Sequence, residues 1–251
     1  MDMFISLSHF CDKHGPRVLL VTQMNFNSSD NDPLLLPDYP LESYCDSCIL
    51  HFPPVSTKQD IRSMRSVLTH HNHQISFVST QYSSIRYQLL SSIIRKTFSE
   101  ETMIYDMTPM IFQDDINKLN FVMGFKLHDE NARGNERRYC LTFSIDSTDH
   151  LQSMQLLSAN IDFIINGFQK MIGYIKQLRD VQLNTLAKQG QLDDNLTPII
   201  STYLRGNKTK SSKNLTCLTN DKGIFVKLHK WNTFLLSSLY KKCHEKYERD
   251  E

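Results

Sequence analysis

The chain reads as a mixed α/β protein of the α+β kind, a mainly antiparallel sheet with helices packed against it. Three observations lead there. Two alternating segments near the N-terminus flank the turn residues His14-Gly15-Pro16. A run of further strand-like segments ends in one with Tyr139, Leu141, Phe143 and Ile145 on one face and Arg138, Cys140, Thr142 and Ser144 on the other. From Thr148 the apolar period then changes from two to that of a helix.

Taken in order, Met3 to Phe10 alternates well enough for a strand, and Arg17 to Thr22 is a short β-branched and aliphatic run, so the two pair as a hairpin. From Asn25 to about Gln74 the character shifts. Pro33, Pro37, Pro40, Pro53 and Pro54, five of the eight prolines, fall there among many Asn, Asp and Ser residues. That density suits no helix or central strand, and the span 25–74 is expected to be a long insertion. A helix follows, with Ser83 or Ser84 as N-cap, Ile85, Leu89, Ile93 and Phe98 as its buried stripe, and Arg86, Arg95 and Lys96 outside it. Four strand candidates come next at Met103–Met107, Met110–Gln113, Leu119–His128 and Arg138–Asp146, and three strands in a meander here bring the sheet to five. Met154, Leu157, Ile161, Ile164, Phe168, Met171, Ile175 and Leu178 then form a seam along a helix that weakens near Gln189-Gly190. Ile165 and Ile172 widen this seam to a face suited to packing on the sheet rather than to a free coiled coil. After Leu196–Leu204 and a basic, Ser-rich loop from Arg205 to Lys213, a last amphipathic helix from Lys227 to about Tyr247 carries Leu228, Trp231, Leu235 and Leu239 on one face. The expected division is 1–190 for the sheet domain and 191–251 for a helical extension.

At 251 residues the chain is long enough for a core that needs no staples. A formal net charge of +1 supports no electrostatic claim on nucleic acid or acidic lipid. The start Met1-Asp2-Met3-Phe4 lacks a cationic region ahead of an apolar run, and no stretch approaches a bilayer span. The expectation is a soluble, intracellular protein with six reduced cysteines.

No GxSxG, no glycine-rich phosphate loop and no Cys with an activating pattern is present, and the paired carboxylates Asp114-Asp115, Asp129-Glu130 and Asp193-Asp194 fall in turns. No self-sufficient active site is expected, and no cofactor. His9, Cys11, His14, Cys45, Cys48 and His51 invite a zinc reading, and Cys45-Asp46-Ser47-Cys48 has the right gap. A second CxxC or a HxxxH is missing, however, so no metal site is assigned. The cluster His70-His71-His73 is equally weak. One polar stretch stands apart: Asn131-Ala132-Arg133-Gly134-Asn135-Glu136-Arg137-Arg138 reads as a hairpin tip where Gly134 permits a positive φ and Arg133 is held toward solvent. An arginine so placed is either a solvated turn residue or one able to enter another protein's active site.

The string Ser8-His9-Phe10-Cys11-Asp12-Lys13-His14-Gly15-Pro16-Arg17-Val18-Leu19 resembles the opening of the folliculin family. Matches continue in the same order through Cys45-x-x-Cys48, Val78-Ser79-x-Gln81, Ala132-Arg133-Gly134 before Arg138-Tyr139, Thr197-Pro198, and Ser212–Leu218 leading to Trp231. The resemblance covers nearly all of this chain but only the N-terminal part of the long animal form, leaving no room for its DENN-type region. The chain is similar to the short budding-yeast member.

That resemblance implies a longin domain: a five-stranded, mainly antiparallel sheet in an α-β-α sandwich, one helix on one face and the later helices on the other. It implies a heterodimer with a folliculin-interacting protein, formed by pairing sheet edges. It implies GTPase activation on a Rag C/D-type GTPase, within a Rag heterodimer, in amino-acid signalling to the TOR kinase, with Arg133 as the finger. GTP and Mg²⁺ would belong to the substrate GTPase. The protein would be cytoplasmic and reach the vacuolar or lysosomal membrane through its partners. The alternative is a non-catalytic longin scaffold for amino-acid permease sorting and vacuolar recruitment.

Overall fold

A computed structural model of the chain describes residues 2–26, 44–53, 63–70, 73–81, 83, 86–99, 103–114, 118–188 and 212–247. The class is as expected, mixed α/β, but the sheet has seven strands rather than five: β1 (Asp2–Cys11), β2 (Gly15–Asn25), β3 (Met64–His70), β4 (His73–Thr80), β5 (Pro109–Gln113), β6 (Leu119–His128) and β7 (Glu136–Asp146). Their order is β3-β4-β2-β1-β7-β6-β5, antiparallel at every junction. The anticipated longin-like five are the block β2-β1-β7-β6-β5, and the extra pair β3–β4 lies along the outer edge of β2.

That extra hairpin falls in and just after the span read as insertion. The prolines end at Pro54, and beyond them Met64, Ser66 and Leu68 alternate with exposed Arg65, Val67 and Thr69. Met64 and Leu68 pack on the core while the opposite face is solvated. The alternation was present, but the polar face blended into the preceding loop composition.

The segment Met103–Met107 is not a strand. Tyr105 and Met107 take positive φ of 61° and 73°, and the Met107 N–H donates to the Gly124 carbonyl at 2.8 Å. Met103 lies over Gly124, where a Cβ would come within 2.7 Å of its Sδ, so the missing side chain on β6 is what lets this segment settle on the sheet.

Both faces of the central strands are covered, which explains why β1, β6 and β7 are buried almost throughout. On one face α1 (Tyr87–Thr97) packs Leu89, Leu90 and Ile93 onto Phe4 and Val21. Arg86, expected outside the stripe, is instead 4 % exposed. Its guanidinium donates to Gln23 Oε1 and to Asp2 Oδ2, both at 2.6 Å, and lies over the Phe4 ring. A paired arginine can close an interior that its charge alone would open. The helix begins at Tyr87 with no side-chain cap; Ser83 donates to Gln23 Oε1 instead, and Ser84 and Ile85 lie outside the described residues.

On the other face lies α2 (His150–Lys188), which buries Leu157, Ile164, Phe168, Met171 and Ile175 against the sheet, while Met154 at the head of the seam is exposed. The described helix runs to Lys188, and Gln189-Gly190, where it was expected to weaken, lie outside the described residues. Beside it run α3 (Leu215–Thr219) and α4 (Ile224–Tyr247), whose Leu228, Leu235 and Leu239 join the same core. Asn214 caps α3 by accepting from the Cys217 N–H at 2.7 Å. One buried polar network ties α4 to the sheet. The ring of His229 meets Ser66 Oγ at 2.8 Å and Ser79 Oγ at 2.7 Å, and Asn232 donates to Thr22 Oγ1 at 2.9 Å. The segment Leu196–Leu204, most of the loop Arg205–Lys213 and much of 25–74 lie outside the described residues. No described helix is long and apolar enough to cross a membrane.

Candidate functional site

The β6–β7 connection is short and closed on itself. Asp129 N–H donates to the Asn135 carbonyl, Ala132 N–H to the Asp129 carbonyl and Asn135 N–H to the Ala132 carbonyl, all at 2.9 Å. The turn has the positive φ that glycine was expected to supply, 72° at Gly134, and continues it at Asn135 with 57°. Below it, Asp129 is fully buried and Arg137 is 2 % exposed, joined at 2.8 Å through Arg137 Nη2 and Asp129 Oδ2. The other carboxylate oxygen, Oδ1, accepts from the Asn131 N–H at 3.1 Å. Arg179 of α2 donates from Nε to the His128 carbonyl at 2.8 Å. The loop is thus anchored by a buried charge pair beneath its own backbone turn.

Arg133 sits at that tip, exposed. Its backbone N–H donates to Asp12 Oδ2 at 2.9 Å, which ties the β6–β7 loop to the β1–β2 turn. Among the described residues no carboxylate pairs with its guanidinium; the buried ion pair belongs to Arg137. Its exposure, on a turn with a positive φ at Gly134, is as expected from sequence.

The same β1–β2 turn holds a second constellation. Cys11 and His14 bracket Asp12 and Lys13, and Gly15 follows with a φ of 71°. Tyr44 to Leu50 folds over this turn, with a single 3-10 turn at Asp46–Cys48. Cys11 Sγ lies 3.6 Å from Cys45 Sγ, and Cys45 Sγ lies 3.5 Å from Cys48 Sγ. His14 Nδ1 is 3.7 Å from Cys11 Sγ and 3.6 Å from Cys48 Sγ. The four donor atoms all fall within 4.8 Å of one another. From sequence the second half of a zinc pattern had been judged missing. It is Cys11-x-x-His14, which spans the β1–β2 turn and is neither a CxxC nor a HxxxH.

His9 is fully buried behind the cluster, with Nε2 at 3.3 Å from Cys48 Sγ. Burial, reinforced by the nearby Arg137 charge, holds its pKa down at about 3, so the ring is neutral. Ser47 Oγ stands 3.1 Å from Cys45 Sγ. The neighbouring Cys48 thiol, with backbone groups of Lys13 and His14, draws the Cys11 pKa below its ordinary value against the cost of burial. Sharing with Cys11, together with burial, pushes Cys48 up. His51, also weighed as a ligand, turns away to Asp46 and Asn214. Of the His70-His71-His73 group, His71 lies outside the described residues.

The pattern of the Folliculin family, described as "Vesicle coat protein involved in Golgi to plasma membrane transport", matches residues 75–239, well over half of the chain. The chain belongs to the folliculin family. It is also similar to Protein LST7 of Saccharomyces cerevisiae, with 53 % identity over 240 residues, 94 % of this chain and 95 % of that protein. In this folliculin-family chain the arginine loop, α1 to α3 and the larger part of α4 lie within the matched span, whereas the cysteine cluster lies before it.

Proposed function

We propose that this chain is the longin subunit of a two-chain GTPase-activating complex, contributing Arg133 in trans to a Rag C/D-type GTPase. The observation supporting this is the pairing of an exposed Arg133, with no carboxylate on its guanidinium among the described residues, with a loop fixed by the buried Asp129–Arg137 bridge. A finger has to arrive already oriented. Its planar fork then meets the oxygens that gain charge as the γ-phosphoryl departs, a contribution of about 10³–10⁵ in rate. GTP and Mg²⁺ are the substrate GTPase's own. The partner is a folliculin-interacting protein, docked by strand addition at one of the two outermost described strands, β3 or β5. The complex works in amino-acid signalling to the TOR kinase, from the cytoplasm, reaching the vacuolar membrane through its partners.

Single-turnover GTP hydrolysis by the Rag heterodimer tests this, with the partner-bound wild type, Arg133→Ala and Arg133→Lys. Both variants are expected to lose most of the stimulation, since a lysine lacks the bidentate fork. Equal rates in all three would remove Arg133 from the mechanism.

The transport description of the family favours a second reading, a non-catalytic subunit that sorts amino-acid permeases and recruits partners to the vacuole. On that reading Arg133→Ala leaves permease delivery and assembly intact, and only substitutions at sheet edges and helices matter.

A further inference from the structure

We infer that Cys11, His14, Cys45 and Cys48 bind one Zn²⁺ as a closed structural site. Three cysteines and a histidine are a donor set of structural zinc, and they come from two halves with two-residue gaps, Cys11-x-x-His14 and Cys45-x-x-Cys48. The geometry is that of a coordination shell. Zinc bonds of about 2.3 Å to sulfur and about 2.05 Å to nitrogen give tetrahedral edges of about 3.8 Å and about 3.6 Å. The sulfur pairs here stand at 3.5 and 3.6 Å, and the sulfur–nitrogen pairs at 3.6 and 3.7 Å.

The surroundings fit as well. Thiolates at a metal are held by N–H and O–H donors around them. His9 Nε2 at Cys48 and Ser47 Oγ at Cys45 are in place for this. A disulfide would use only two of the three sulfurs, leaving the third and the imidazole unexplained. Apolar packing explains the set less well still, because leucine or valine would fill the space without gathering three sulfurs. With four protein ligands and Cys11 and Cys48 almost fully buried, no coordination position is left for a substrate. The metal's role is to fasten. It clamps the segment Tyr44–Leu50 onto the β1–β2 turn, and Asp12, lying between two of the ligands, is the residue that receives the Arg133 N–H. Ordering of the arginine loop by this clamp matters for activity only if the proposed arginine function holds; metal binding itself does not depend on it. On binding, ligand thiols still protonated release their protons to solvent.

The test is the metal content of the full chain purified without added metal. One zinc per chain is expected. Loss of zinc is expected in Cys11→Ser/Cys48→Ser, and retention in Cys217→Ser, an exposed cysteine elsewhere. To separate ligand loss from misfolding, the wild type is exchanged with Co²⁺. Strong visible d–d bands of a tetrahedral thiolate site are expected, along with chelator-induced acceleration of hydrogen exchange in 44–50 and 129–135. Wild-type protein without zinc, iron in its place, zinc retained by the double variant, or an octahedral cobalt spectrum would each overturn the proposal. Loss of GTPase stimulation in Arg133→Ala with zinc intact leaves it standing.

Discussion

Asp129→Ala separates a loop held by a buried charge pair from one held by its backbone turn alone. Asp129 is fully buried and its partner Arg137 is 2 % exposed. Removing the carboxylate strands a guanidinium in the interior, a change worth about 3–5 kcal/mol. The Asn131 N–H also loses its acceptor, adding about 1 kcal/mol. Arg179, 2 % exposed and also drawn to the Asp129 charge, loses part of its compensation too. The single variant is therefore expected to be about 4–6 kcal/mol less stable, enough to unfold many domains of this size. Asp129→Ala/Arg137→Met removes both charges together, and of the damage only about 1–2 kcal/mol should remain, chiefly the missing Asn131 acceptor. Urea denaturation of the full chain, with unchanged m-value as the check on two-state behaviour, measures both. A single variant costing under about 1 kcal/mol, or a double variant as damaged as the sum of its parts, would refute the argument that this pair anchors the loop.

Two more outcomes follow from the same geometry. At Gly134 a Cβ would meet nothing within 4 Å, so Gly134→Ala is opposed only by the φ of 72°, at about 1 kcal/mol; thermal unfolding should show a small loss, with a larger effect on GTPase stimulation than on stability. Burial lowers the pKa of His229 below its ordinary value of 6.5. The unfolded chain therefore binds a proton that the folded one refuses, so this stability is present above pH 6.5 and is lost as pH falls toward the depressed value. His229→Gln should flatten the slope of stability against pH in that window, and an unchanged slope would count against the buried Ser66–His229–Ser79 link.

Much of the fold was legible because it rests on local chemistry. His14-Gly15-Pro16 made the first hairpin, and the steps of three and four from Leu157 to Ile175 laid α2 on the sheet. The exposed Arg133 and positive-φ Gly134 were legible too, since a polar run between two strands admits little else. The β3–β4 pair was missed because half of an edge strand is solvated and reads like loop. Burial of Arg86 was missed because its partners, Asp2 and Gln23, are distant in sequence and meet it only through strand pairing. The cysteine cluster shows the same limit. Each half was visible, but nothing local says that residue 45 returns to residue 11.

The central claim is that the Arg133 guanidinium touches the transferring phosphoryl group. The most direct measurement is the affinity of the partner-bound chain for the Rag heterodimer carrying GDP and aluminium fluoride, compared with its affinity for the GTP-analogue form. Wild type should prefer the fluoride state strongly, and Arg133→Ala should bind both states alike, its ground-state affinity unchanged. An undiminished preference in Arg133→Ala would contradict the account.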